Sequence, residues 1–386
     1  MLRPINKTGC AGALRSTQKM IQSFALWLCD PNTYADGVTE PAIEQFLQTP
    51  QEAKWLWRFL NGTLKEKTYL ERAKHLAGLA PEEKTLLKKW IECSVNIGIY
   101  FDVVPTGQQI PTASPFAGRR DGELHWKNFK DLMEAFYLKG LREGLAYSPD
   151  GAPTEDRETA LNYTAFRANF IEQHQFDKHE YARKVCVICN GELRNPSVDH
   201  WVAKANYPLL SVCADNLIPI CGECNQSPNK GTKTVHTDGD FEDWFHPYFR
   251  HPNGTLKLVH QTSGLRLKLT STRATDTKRV ANLNGLFNLE QRWTREFKGE
   301  YRKLYNSILT RQKKRGIALT LESLCQQLED WADGLDSNQP HFEVHEALAK
   351  TLLDANRLVA WCKDLNIDLR PHLLGRNNVA ARSEAP

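Results

Sequence analysis

Four cysteines constrain this chain more than any other feature. They fall in two C-x-x-C pairs, Cys186 with Cys189 and Cys221 with Cys224, separated by 31 residues. Each pair can form a knuckle, and two knuckles supply the four thiolates of a tetrahedral zinc site. The insert between them must then fold back on itself. On the cysteines alone this is a structural zinc ribbon, whose metal holds a fold and does no chemistry. The other six cysteines (Cys10, Cys29, Cys93, Cys213, Cys325 and Cys362) are scattered. A disulfide scaffold is short, secreted and cysteine-dense, and a chain of 386 residues is none of these. The six read as small buried hydrophobes in a reducing compartment.

The pattern around the cysteines is helical. "TPQEAKWLWRFLNG" offers Thr49 as N-cap, Pro50 at the first helical position, Glu52 to complete a capping box and Asn61-Gly62 as a stop. "APEEKTLLKKWIE" repeats the pattern from Pro81. The Pro- and Gly-rich stretch 103–122 reads as a loop, "HWKNFKDLMEAFYLKGLREGL" as an amphipathic helix, and 146–156 as a second linker. A helix over about 157–180 leads into the cysteines. "TLKLVH" and "GLRLKLTS" read as a β-hairpin. From about 278 the pattern is helical again, and the last ten residues are expected to fray. This divides the chain into an N-terminal helical region (1–103), linkers with a connecting helix (104–156), a central module (157–240), a hairpin extension (241–277) and a C-terminal helical region (278–386).

Hydrophobic residues at 41% and charged residues at 25% are ordinary for a globular protein. A net charge of +4 gives no global signal for nucleic acid, so any such surface must be a local patch. The apolar run "MIQSFALWLC" is about half a membrane span and reads as a buried helix. With no signal or span, the expected location is cytoplasmic and no membrane partner is expected.

The insert is more than a ribbon. It contains "VDHWVAKANYPLL" and "DNLIPIC", and the second knuckle reads "CGECNQSPNKG". Asp199-His200, Asn216, Asn225 and Lys230-Gly231 stand out. "SVDHW" and "LIPI" can be two short strands, with a helix starting at the second knuckle. As neighbours on an extended chain, Asp199 and His200 point to opposite sides, so one can hold a metal while the other faces a water. A neutral histidine can activate that water, because its pKa lies near working pH.

Residues 186–233 resemble the HNH (ββα-metal) endonucleases, in the four-cysteine zinc subclass with Asn at the third motif position. The expected fold is therefore mainly α, with a small central ββα-metal (HNH) module braced by the four-cysteine zinc site and followed by the β-hairpin. The resemblance implies DNA phosphodiester hydrolysis. His200 would be the general base, exposed enough that its removal leaves folding intact, and Asn216 would pin the loop and orient it. Asp199 and Asn225 would hold Mg²⁺ or Mn²⁺, which an amide oxygen suits better than softer metals. Zn²⁺ on the cysteines would be structural, and Lys230 would lie near the substrate phosphate. Such a module between helical regions is similar in layout to bacterial anti-phage defence nucleases, some of which work with a separate ATPase or sensor protein. The other reading is a catalytically inactive zinc module that binds nucleic acid or protein. A dead copy usually loses the base or a ligand, and here all three positions are filled.

DNA affinity needs a basic surface. The densest is 294–314, where helical spacing puts Arg295, Lys298, Arg302 and Lys313 on one side and Phe297, Tyr301, Leu304 and Ile308 on the other. His246 and His251 downstream read as packing residues, and Cys213 as buried.

Overall fold

The structure, a computed structural model, describes residues 5–367 apart from 65, 96, 102–108, 174–182, 195, 253, 262–263, 317–318 and the side chain of 315. The frayed end expected after residue 376 and most of the start of the loop at 103 lie outside the described residues.

The chain is mainly helical. The N-terminal part contains α1 (Ala11–Leu28), α2 (Glu40–Phe46), α3 (Pro50–Leu60), the minimal pair β1 (Thr63–Leu64) and β2 (Lys67–Thr68), α4 (Tyr69–Ala77) and α5 (Pro81–Ser94). The apolar run expected to be a buried helix is the second half of α1, with Met20, Ile21, Phe24, Ala25 and Leu28 in the core. No described helix is long and apolar enough to cross a membrane. Thr49 caps α3 as expected, its hydroxyl accepting from the Glu52 N–H at 3.3 Å. The capping box does not close there. The Glu52 carboxylate instead accepts from the Tyr147 hydroxyl. A closed box occurs at α4, where Thr68 and Glu71 satisfy each other's backbone N–H at 3.0 and 2.5 Å.

α6 (Gly122–Ala135) continues into a π-helical turn, Phe136–Leu141. The stretch 146–156 is a connection but not a loose one: Ala146 and Tyr147 are buried, and Tyr147 bridges Pro153. The helix expected over 157–180 is α7, Tyr163–Gln173; residues 174–182 are among those not described.

Three two-stranded sheets exist among the described residues. β3 (Ser197–His200) and β4 (Leu217–Ile220) pair antiparallel, with Asp199 opposite Ile218 and His200 opposite Leu217. α8 (Gly222–Asn225) follows the second knuckle and is a single turn, so the helix expected there is short. The hairpin is β5 (Leu256–Gln261) with β6 (Arg266–Ser271), in the segment that alternation marked. It packs against α9 (Thr277–Phe287), the long α10 (Leu289–Arg315) and α12 (Phe342–Leu352). α11 (Leu321–Asp333) and α13 (Ala355–Asp364) complete the C-terminal region. Buried apolar side chains from Ile5 to Ile367 form one continuous cluster that runs through the cysteine module.

Candidate active site and metal centre

The four cysteines come together. All four are buried, and their sulfurs lie within 4.8 Å of one another. Cys186 Sγ is 3.9 Å from Cys224 Sγ, and Cys189 Sγ is 3.8 Å from Cys221 Sγ. Zinc–sulfur bonds of about 2.3 Å give tetrahedron edges of about 3.8 Å, so the cluster fits a four-thiolate metal. Surrounding donors fit the same charge. The Gly191 N–H points at Cys189 Sγ and the Cys221 N–H at Cys186 Sγ, both at 3.4 Å. Arg292 from α10 donates to Cys224 Sγ at 3.2 Å and pairs with Glu223 at 3.0 Å. Burial opposes the Arg292 charge, but the Cys224 and Cys189 sulfurs outweigh it and hold the guanidinium above its ordinary pKa. Trp293 Nε1 donates to the Cys189 carbonyl at 2.7 Å. The spacing of the cysteines does not mark Arg292 or Trp293, because they come from a helix about 70 to 100 residues further on.

Asp199 and His200 lie side by side on β3 and look to opposite sides. Asp199 faces Lys230. The Lys230 side chain is completely buried, its Nζ 3.1 Å from Asp199 Oδ1, 2.9 Å from Oδ2 and 2.6 Å from the His200 carbonyl. The contact to Oδ2 is an ion-pair approach rather than an aligned hydrogen bond. The resemblance placed Lys230 near the substrate phosphate; in the structure its ammonium is held inside by a carboxylate and a carbonyl. Burial pushes the Asp199 carboxyl up to about 6 against the opposing pull of Lys230.

His200 is not exposed either; only 7% of it meets solvent. Its Nε2 lies 2.8 Å from the Ser211 carbonyl. A carbonyl only accepts, so Nε2 carries the proton and Nδ1 keeps its lone pair. Burial pushes the imidazole down to about 3, so the ring is neutral at neutral pH. Tyr137, on the π-helical turn after α6, stands edge-on over the ring with centroids 4.5 Å apart. Burial, with Tyr163 and then Asp199 adding to it, pushes the Tyr137 phenol up. Nothing in the local pattern of "MEAFYLKG" points to His200.

Asn216 is fully buried and pins the loop between the strands. Its Oδ1 accepts from the Val202 N–H at 2.7 Å, and its Nδ2 donates to the Val202 and Leu210 carbonyls at 2.9 and 3.1 Å. Leu210 precedes Ser211, so the amide fixes the segment that holds His200. Asn225 ends α8, which packs against β3. The Asn225 carbonyl accepts from the Gly231 N–H at 3.2 Å, and its side-chain amide has no hydrogen bond among the described residues.

The basic helix is α10. Phe297 and Ile308 are buried, Tyr301 and Leu304 are half-buried, and Arg295, Lys298, Arg302 and Lys313 are exposed. Arg295 and Lys298 line a cleft of about 580 Å³ with Gln226, Ser227 and Asn229 of the second knuckle. Arg295 also pairs with Glu223 at 3.2 Å. Arg302 lies further along the helix, outside that cleft.

His246 is completely buried among Phe101, Trp201 and Phe249, consistent with packing. His251 is exposed, so the packing role expected for it does not hold. Cys10, Cys29, Cys213 and Cys362 are buried, Cys93 and Cys325 half-buried, and none of the ten cysteines forms a disulfide. No protein-family model, no curated protein and no solved structure matches this chain.

Proposed function

We propose that the chain is a metal-dependent endonuclease of the HNH kind that hydrolyses DNA phosphodiester bonds, with His200 as general base. The carrying observation is the hydrogen bond from His200 Nε2 to the Ser211 carbonyl. It leaves Nδ1 as a fixed acceptor on a neutral ring, the protonation state a general base needs; the burial that lowers its proton affinity has to be relieved at the reacting centre for it to act. Asn216 supports this role by fixing the loop that presents the carbonyl.

Asp199 and Asn225 offer hard oxygen donors that suit Mg²⁺ or Mn²⁺. A cation held there would neutralise charge on the phosphate and stabilise the leaving oxygen. It would share Asp199 with the Lys230 ammonium, which already answers the carboxylate's charge. The Asn225 amide lies at the end of α8 and is partly exposed. The cleft carrying Arg295 and Lys298 is a basic surface that includes the second knuckle, and it suits a nucleic-acid backbone.

Two observations favour a second reading, an inactive zinc module that only binds. Tyr137 covers His200, and Lys230 occupies Asp199. Supercoiled plasmid incubated with the zinc-loaded protein and Mg²⁺ separates the two. Cleavage that falls by about 10²–10⁴ in a folded His200→Ala variant supports the nuclease. Plasmid retention without cleavage supports the binding module.

A further inference from the structure

The cysteine site is not the only group of metal-binding side chains. Glu296 and Glu300 sit one turn apart on α10, and His345 projects from the first turn of α12. One donor atom from each lies within 4.8 Å of the others. His345 Nε2 is 3.1 Å from Glu296 Oε1, and His341 Nε2, one turn earlier, is 3.9 Å from Glu296 Oε2. All four side chains are partly buried, between 16 and 29% exposed.

We propose that Glu296, Glu300 and His345, with His341 as an outer fourth donor, form a second metal site for a divalent first-row transition ion. Two carboxylates with one or two imidazoles are a borderline donor set, unlike the all-thiolate set at the cysteines and the all-oxygen set at Asp199. The pairs Glu296/Glu300 and His341/His345 are each four residues apart, so each presents two donors on one face of its helix. The two faces meet across the α10–α12 contact.

His341, whose Nε2 faces Glu296, is seated against both the group and the cysteine module. It is the N-cap of α12 and holds a left-handed backbone, φ 63°, which costs a non-glycine residue energy. Its Nδ1 is buried without a hydrogen-bond partner. Its backbone N–H donates to the Asn190 carbonyl at 2.6 Å, beside the first knuckle. Gly191 makes room for the ring: a Cβ there would lie 3.0 Å from His341 Cε1 and 3.2 Å from Nε2. A strained histidine is thus seated against the cysteine module, in a space that a side chain on residue 191 would fill. Lys303, exposed and 2.9 Å from Glu300 Oε2, is the competing cation and can swing into solvent. An ion at this site joins α12 to α10, the helix that sets Arg292 and Trp293 against the knuckles.

The test is cobalt uptake by the full-length zinc-loaded chain, with Mg²⁺ in excess to fill any oxygen-only site. We expect one further equivalent of Co²⁺, with ligand-field bands and no sulfur-to-cobalt charge transfer. Glu300→Gln and His345→Ala should each weaken it by more than the roughly 10–100-fold typical of losing an outer-shell partner. His341→Ala should weaken it less. Failure of the parent chain to take up a further equivalent would overturn the proposal, whether or not the variants fold. So would equal uptake by folded Glu300→Gln and His345→Ala proteins, or charge-transfer bands showing that cobalt had replaced zinc on the thiolates.

Discussion

The Lys230 ammonium touches both oxygens of the Asp199 carboxylate, at 3.1 and 2.9 Å, with both side chains buried. A buried pair of this kind adds little compared with a well-packed apolar pair, but breaking it from one side is costly. Lys230→Met should therefore lower stability by about 3–5 kcal/mol. The double variant Lys230→Met with Asp199→Leu should recover much of that. Thermal unfolding of the four proteins in the cycle checks this, and a single variant as stable as the parent would contradict it.

Cleavage should depend on pH through Asp199 and not through His200. Asp199 sits at about 6 because burial raises it, so its carboxylate forms as pH rises through that value. His200 is pushed down to about 3 by burial and stays neutral across the same range. The rate at limiting Mg²⁺ should rise through about pH 6. Asp199→Asn should remove that rise along with most of the activity, and Lys230→Met should move it to higher pH. A rise unchanged in Lys230→Met would show that another group titrates.

Asn216→Ala leaves two buried backbone groups, the Val202 N–H and the Val202 carbonyl, without a partner, and removes one of the two donors to the Leu210 carbonyl, which keeps the Cys213 N–H. Each unsatisfied group costs about 1–3 kcal/mol. Urea unfolding of the zinc-loaded variant should show a loss of at least about 2 kcal/mol. Asn216→Asp should also be destabilised, because it turns two donors into an acceptor that faces carbonyls.

Cys224→Ser should lose one equivalent of zinc on elemental analysis and destabilise the centre of the molecule, since metal binding there is folding energy. It also removes the sulfur that holds Arg292. Brief treatment with a weak chelator should instead stop cleavage reversibly, with zinc and circular dichroism unchanged. Cleavage by protein shown to be zinc-free would refute the scheme.

Replacing Arg295, Lys298 and Arg302 with Gln should weaken binding to all duplexes alike. Each phosphate that the protein no longer neutralises shallows the log–log salt dependence by about 0.9. The flattening should be roughly two units rather than three, because Arg302 lies outside the cleft. An unchanged slope would exclude α10 as the DNA-binding surface.

What could be read from the sequence was local. The Thr49 cap, the β5–β6 hairpin and the stripe of Phe297, Tyr301, Leu304 and Ile308 all follow from periodicity within one element. Each C-x-x-C knuckle is a short-range structure, and the meeting of the two follows from the four thiolates that one tetrahedral zinc needs. What could not be read was set by distant partners. Glu52 had the spacing for a capping box, but Tyr147 takes its carboxylate from 95 residues away. His200 looked exposed because β3 alone leaves it so; Tyr137 and the Ser211 segment bury it. Lys230 was placed near the substrate phosphate, because no sequence rule shows Asp199 waiting beside it. The carboxylates and imidazoles of α10 and α12 are ordinary in their own helices and become a group only where the helices cross.

The Tyr137 ring has a consequence for how such a site is inherited. The letters of the motif all lie between residues 186 and 233, and a recombination event could carry them intact into another protein. Tyr137 would stay behind with the turn after α6. The imidazole would keep its bond to the Ser211 carbonyl but lose the ring that covers it, and with it part of the burial that lowers its affinity for protons. The motif travels as one block, but part of what shields its imidazole belongs to a neighbour outside that block.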